Sequence, residues 1–124
     1  GVEPYLVSSV VRDGEAVYTA QAQSTGRIMS EETAAKIRSY LRNNVQTIYG
    51  DGHFPGLSVC AKSGTSQLGG GQRSNAMFAG FLADDAYPLA FIVVVENGGY
   101  GSATCVPVLS QVLSVCKTEM DNNR

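Results

Sequence analysis

Three apolar, β-rich runs separated by short, turn-rich links leave this chain few folds to choose from. The runs are Leu57–Lys62 (LSVCAK), leading on to Thr65, then Asn75–Leu82 (NAMFAGFL) and Leu89–Glu96 (LAFIVVVE). The links are the Gly-rich Gln67–Arg73 and a turn around Asp84-Asp85 and Pro88. Links this short favour antiparallel neighbours, because a parallel pair needs a crossover of a dozen or more residues. Strands are therefore expected at 57–65, 75–82 and 89–96. The third run is apolar on both faces, as a central strand covered on both sides would be.

Upstream, Tyr5–Arg12 and Glu15–Ala22 flank Asp13-Gly14. An Asp-Gly pair between β-rich runs predicts a hairpin over 5–22, since both turn residues must take positive φ. Ser30 is an N-cap candidate with Glu31 and Glu32 suited to the positive end of a helix dipole. Ala34, Ile37, Leu41, Val45 and Ile48 then recur at helical spacing, predicting a helix over 30–48 stopped by Gly50 and Gly52. A last helix is expected over 102–116. Ser102 would cap it, Pro107 would sit in its first turn, and Val106, Leu109, Leu113 and Cys116 would form its stripe. The polar tail Asp121–Arg124 is expected to fray.

The class is α+β: an antiparallel sheet of three sequential strands flanked by helices, plus an N-terminal hairpin. No repeat or linker divides residues 1–124, which read as a single unit. Nine basic against eleven acidic residues, a net charge of −2, give no electrostatic footprint for nucleic acid. Cys60, Cys105 and Cys116 are too few and too widely spaced for a disulfide framework or a zinc cage, and read as small apolar residues. No apolar run approaches the roughly 20 residues of a membrane span, so the chain is expected to be soluble.

The stretch that can carry chemistry is Lys62-Ser63-Gly64-Thr65-Ser66, at the end of a predicted strand. The ammonium supplies a point charge and the hydroxyls supply adaptable donors, which together suit an anion. Gly64 lacks the Cβ that would hold a ligand off the strand, and an unpaired N–H on such an edge could meet a developing oxyanion. Taken alone, Lys-[Ser/Thr]-Gly arises by chance about once in twenty chains of this length.

Over about residues 5–116 the sequence resembles the C-terminal part of the penicillin-binding transpeptidase domain. The resemblance rests on the Lys62–Thr65 box and on Asn75-Ala76-Met77-Phe78-Ala79-Gly80-Phe81, which fits the strand that follows the box in that family. Phe54-Pro55-Gly56 resembles the usual approach to the box, and PLAFIVVVENGG with the helix after it resembles the last strand and last helix. The implied fold is part of a β-lactamase/transpeptidase-like fold, with the chain as a C-terminal fragment of the domain. The implied reaction is acylation of a serine by a peptidoglycan stem peptide, with transfer to a neighbouring amine.

Carried over by motif position, Lys62 would charge the site, and Ser63 and Thr65 would bind the carboxylate of substrate or β-lactam. The Thr65 backbone N–H would be one arm of the oxyanion hole, with Gly64 between them. No metal or organic cofactor is implied. The implied partners are stem peptide, β-lactams and the N-terminal remainder of the domain, at the extracytoplasmic face of a bacterial cell envelope. Without that remainder the last strand would present an apolar edge open to self-association.

The departures from the family pattern matter as much. The acylated serine belongs to a Ser-x-x-Lys motif upstream of the box, and no such motif precedes Lys62. Thr33-Ala34-Ala35-Lys36 carries Thr, and Ser114-Val115-Cys116-Lys117 falls after the box on a helix stripe. Ser-x-Asn is absent too. This chain alone is therefore expected to be inactive. The box does not separate a transpeptidase from a β-lactamase or D,D-carboxypeptidase, and a non-enzymatic anion-binding module is a further alternative. His53 reads as a loop residue, Gly69-Gly70-Gly71 as a connector rather than a phosphate cradle, and Asp84-Asp85 as an exposed turn. Phe78, Phe81 and Phe91 are expected to pack in the core.

Overall fold

The computed structural model describes residues 2–67 and 69–124, so Leu68 of the expected Gly-rich loop lies outside the described residues. The chain divides into two compact units, residues 1–34 and 35–124.

In the first unit, β2 (Ser9–Arg12) and β3 (Glu15–Thr19) form the expected antiparallel hairpin. Asp13 and Gly14 take φ of 54° and 83°, the pair of left-handed residues whose twist matches that of the flanking strands. The register runs Arg12↔Glu15 and Val11↔Ala16, then shifts to Val10↔Tyr18, which leaves Val17 as a bulge. The strands are shorter than the predicted span of 5–22. Beyond them, a two-residue pairing joins β1 (Val2–Glu3) to β4 (Gln23–Ser24). Pro4, which has no N–H to give a ladder, separates β1 from β2.

Helix α1 (Glu31–Asn44) starts where expected, with the Ser30 hydroxyl accepting the Thr33 N–H at 3.1 Å. Its end differs. Val45–Tyr49 form a wide π turn closed by Gly50 N–H to Val45 C=O at 2.9 Å. Thr47 donates its hydroxyl to Asn43 C=O at 2.8 Å, a back-bond that favours bending of a helix. The extra residue in the turn rotates Ile48 out, leaving it 68% exposed, and brings Tyr49 onto the core instead. Of the predicted stripe only Val45 is buried, and Ile37 lies on the exposed surface.

The second unit is built on a three-stranded antiparallel sheet in the order β5 (Val59–Ser66), β6 (Asn75–Leu82), β7 (Ala90–Val95). Val59 pairs with Leu82 and Ser66 with Asn75; Ala76 pairs with Val95 and Phe81 with Ala90. With a side-chain period of two, Val59, Ala61, Ser63 and Thr65 share a face with Leu82, Phe78, Ala76, Phe91 and Val93. Against that face α2 (Gly101–Asn122) lays Cys105, Val106, Leu109 and Leu113, and Val45 and Phe54 close the cluster. Phe78 sits fully buried at its centre, with Phe91 stacked at 6.3 Å between centroids.

Strand β7 is an edge strand of the described sheet, the open apolar edge expected of this chain without the rest of the domain. Its faces differ from the expectation of two covered sides: it alternates between core-facing Phe91, Val93 and Val95 and outward Ile92 and Val94, the last two 64% and 52% exposed. An apolar run of strand length does not distinguish two covered faces from one. Phe81 likewise falls on the outward face, opposite Phe78 and Phe91.

Helix α2 departs from the prediction at both ends. It begins at Gly101 with no side-chain cap on its own element, and the missing partner comes from the sheet: Thr65 Oγ1 accepts the Gly101 N–H at 3.4 Å. The earlier start puts Pro107 in the second turn, where its absent N–H leaves Ala103 C=O without an i+4 donor. At the other end the helix runs past 116 to Asn122. Tyr87 donates to Asp121 at 2.9 Å, Lys117 bridges Asp121 at 2.6 Å, and Arg124 reaches Ala86 C=O. These contacts tie down a tail that composition alone marked for fraying.

Candidate functional site

Strand β5 is an edge, and alternation decides which of its backbone groups leave the sheet. Two contacts fix the phase. Val59 C=O accepts from Arg42 Nη1 at 3.2 Å, and Ser63 N–H donates to Tyr49 Oη at 3.0 Å. Residues 59, 61, 63 and 65 therefore turn their N–H and C=O groups away from β6. The Thr65 N–H is one of them, directed off the open edge.

Around that edge the structure gathers the whole Lys62–Thr65 box. Lys62 is exposed, and its Nζ curls to the edge to donate to Ser63 C=O at 2.8 Å and to approach Ser63 Oγ at 3.4 Å. Ser63 Oγ also lies 3.0 Å from Tyr49 Oη. Thr65 Oγ1 is held by the first N–H of α2. The helix start can sit so close because residue 101 is Gly: a Cβ there would lie 2.3 Å from Gly64 O and 2.6 Å from Met77 O.

Tyr49 is the member of this cluster that periodicity did not reveal. The predicted stripe runs through Ile48, but in the π turn Ile48 is exposed and Tyr49 packs against the core. The ring meets Phe78 edge-on at 5.0 Å and 80°. Burial pushes the phenol pKa up, but the hydrogen bonds from Ser63 and the charge of Lys62 outweigh it and leave it below the usual range. Beside Tyr49, a cleft of about 270 Å³ opens between the π turn and the first turns of α2, lined by His53, Ser102 and Val106 among others.

A second anchor lies further along β5. Arg42 grips Asp51, with Nη2 2.7 Å from Oδ2, while Nη1 holds Val59 C=O. That carboxyl is held below its usual pKa by the Arg42 hydrogen bond. Cys60 and Cys105 are buried and their thiols pushed up by burial, so neither is an activated nucleophile. His53 lies in a short 3₁₀ turn, its C=O accepting from Ser110 at 2.6 Å. Asp84 accepts the Ala86 N–H at 2.9 Å and forms the expected turn. Among the described residues no group of three or more His, Cys, Asp and Glu is placed to hold a metal ion.

Chemically, the edge offers one ammonium, two hydroxyls and an outward N–H within a few residues of one strand. Donors of this kind, gathered at one edge, can hydrogen-bond an anion.

The same arrangement of strands and helices occurs in solved structures. Penicillin-binding protein A from M. tuberculosis, as its ceftriaxone acyl-enzyme complex, matches with a TM-score of 0.80 and 26% identity over 93% of this chain and 28% of that one. The D,D-transpeptidase domain of a peptidoglycan glycosyltransferase from Eggerthella lenta matches with a TM-score of 0.72 and 31% identity, over 92% and 28% of the two chains. The chain thus spans less than a third of the length of these relatives. A search of curated proteins finds no match. The sequence profile of the penicillin binding protein transpeptidase domain matches residues 1–114, and with that span of agreement the chain belongs to the penicillin-binding transpeptidase domain family.

Proposed function

We propose that this chain is the substrate-binding wall of a peptidoglycan D,D-transpeptidase, a C-terminal portion of its catalytic domain. The observation that carries the reading is the open β5 edge, where the Thr65 N–H leaves the sheet beside Lys62 and Ser63. In this role Lys62 supplies positive charge to the carboxylate of a stem peptide or β-lactam, and the Ser63 and Thr65 hydroxyls hydrogen-bond it. Thr65 Oγ1 accepts from Gly101 N–H, so its own proton is free to donate. Gly64 keeps the strand backbone approachable, and the Thr65 N–H stabilises the oxyanion of the tetrahedral intermediate.

The acylated serine and its activating lysine come from the rest of the domain, consistent with a chain that covers 28% of its solved relatives. Isolated, the chain is inactive. The intact protein works at the extracytoplasmic face of a bacterial envelope; no helix among the described residues is long and apolar enough to cross a membrane. Separated from the rest, the chain associates with itself through the open β7 edge, and a strictly monomeric species in light scattering at high concentration counts against that.

The test is the second-order rate of acylation of the full-length protein by a fluorescent penicillin. Lys62→Ala is expected to lower it by at least about a hundredfold, the scale of losing one site group that stabilises developing charge. An unchanged rate sinks the proposed role of the box.

A further inference from the structure

Hydrogen-bond accounting at Ser63 shows what Tyr49 contributes. A serine hydroxyl has one proton to donate and two lone pairs to accept with, and a phenol has one proton. Tyr49 Oη already accepts the Ser63 N–H at 3.0 Å, and the 3.0 Å contact with Ser63 Oγ can carry a proton from either side. If Ser63 donates to Tyr49, its only proton is spent inside the protein. If Tyr49 donates to Ser63, the Ser63 lone pairs are taken by Tyr49 and by Lys62 Nζ at 3.4 Å, and the one bond left to Ser63 is to donate outward.

An anion in the site selects the second arrangement. We infer that Tyr49 is a positioning residue that sets the polarity of the Ser63 hydroxyl, making it a donor for the carboxylate of the incoming substrate. The inference rests on the reading of the box as the carboxylate-binding wall.

Geometry supports a dedicated role. The phenol reaches Ser63 from the π turn at 45–49, in which Ile48 is exposed and Tyr49 packs against the core. The ring is pinned edge-on to the fully buried Phe78, and the Arg42 clasp on Asp51 and Val59 C=O fixes the same helix end to β5. The oxygen is thus held from behind Ser63 by a stiff aromatic rather than by a mobile chain. A substrate lacking the carboxylate gains nothing from this arrangement, so Tyr49 sharpens discrimination for the anion without touching it.

The experiment compares acylation of the full-length protein by a penicillin and by its methyl ester, in wild type, Tyr49→Phe, Ser63→Ala and the double variant. Phe keeps the ring against Phe78, and the carboxylate-to-ester rate ratio is internal to each protein, so partial loss of folded protein cancels. Tyr49→Phe is expected to lower the carboxylate-to-ester rate ratio by about tenfold, the scale of one charge-linked hydrogen bond. The double variant is expected to match Ser63→Ala. If Ser63→Ala shrinks the ratio and Tyr49→Phe does not, or if their losses add, the role of Tyr49 is overturned while the wall stands. If Ser63→Ala itself leaves the ratio unchanged, both fall.

Discussion

Arg42 and Asp51 show how single residues hold the strand that bears the box. The guanidinium forks onto both carboxylate oxygens and spends a further N–H on Val59 C=O, which would otherwise be an open acceptor on the β5 edge. Asp51 has a folded pKa below its ordinary value, so it binds its proton less readily folded than unfolded. Its stabilisation is therefore present above about pH 4 and is lost as pH falls through the folded pKa. Because the carboxylate is 40% exposed, solvent screening keeps the pair modest. Asp51→Asn is expected to lower unfolding free energy by about 1 kcal/mol at neutral pH, with the gap closing in acid. Urea unfolding at pH 7 and pH 3 checks it, and an equal gap at both pH values would contradict it. At this scale the box was legible because its four residues are contiguous and chemically unusual together. Tyr49 and Arg42 were not, since their partners Ser63 and Val59 are remote in sequence.

Among the elements, those specified by local chemistry were readable and those specified by packing were not. The Asp13-Gly14 turn, the Ser30 cap and three sequential strands each follow from short-range rules, and each is present. The π turn is invisible to a 3.6-residue period because it breaks that period. The start of α2 is set by Thr65, 36 residues earlier, rather than by Ser102. The open edge of β7 follows from the lack of further strands for its sheet among the described residues. The exposure of its outward Ile92 and Val94 does not follow from an apolar run, because composition does not say what covers a strand. Gly101 marks the tightest of these junctions. Gly101→Ala would drive a Cβ into the backbone oxygens of Gly64 and Met77, so the helix must lift off the strand. We expect a loss of about 1–3 kcal/mol in unfolding free energy, typical of overpacking, together with slower acylation of the full-length protein. Thermal melts and penicillin labelling read the two effects. A variant as stable as wild type would show that the junction is more compliant than its geometry implies.

For the chain taken whole, its reach against its relatives sets the interpretation. Residues 35–124 carry a core, from Phe78 outward to α2, that explains how β5 is presented as a firm edge. The outward side of the same sheet carries Ile92 and Val94 in solvent, and α2 exposes Val112 and Val115. Family membership accounts for the sheet and helix order, while the proposed chemistry depends on an edge whose outward groups are counted off the register. That edge can be tested by a structure of the full-length protein acylated by a β-lactam. The account predicts the acyl carbonyl oxygen about 2.7–3.1 Å from the Thr65 nitrogen, with the ligand carboxylate on the Ser63 and Thr65 hydroxyls. An acyl carbonyl bound away from β5, or a carboxylate that meets none of Lys62, Ser63 and Thr65, would contradict it.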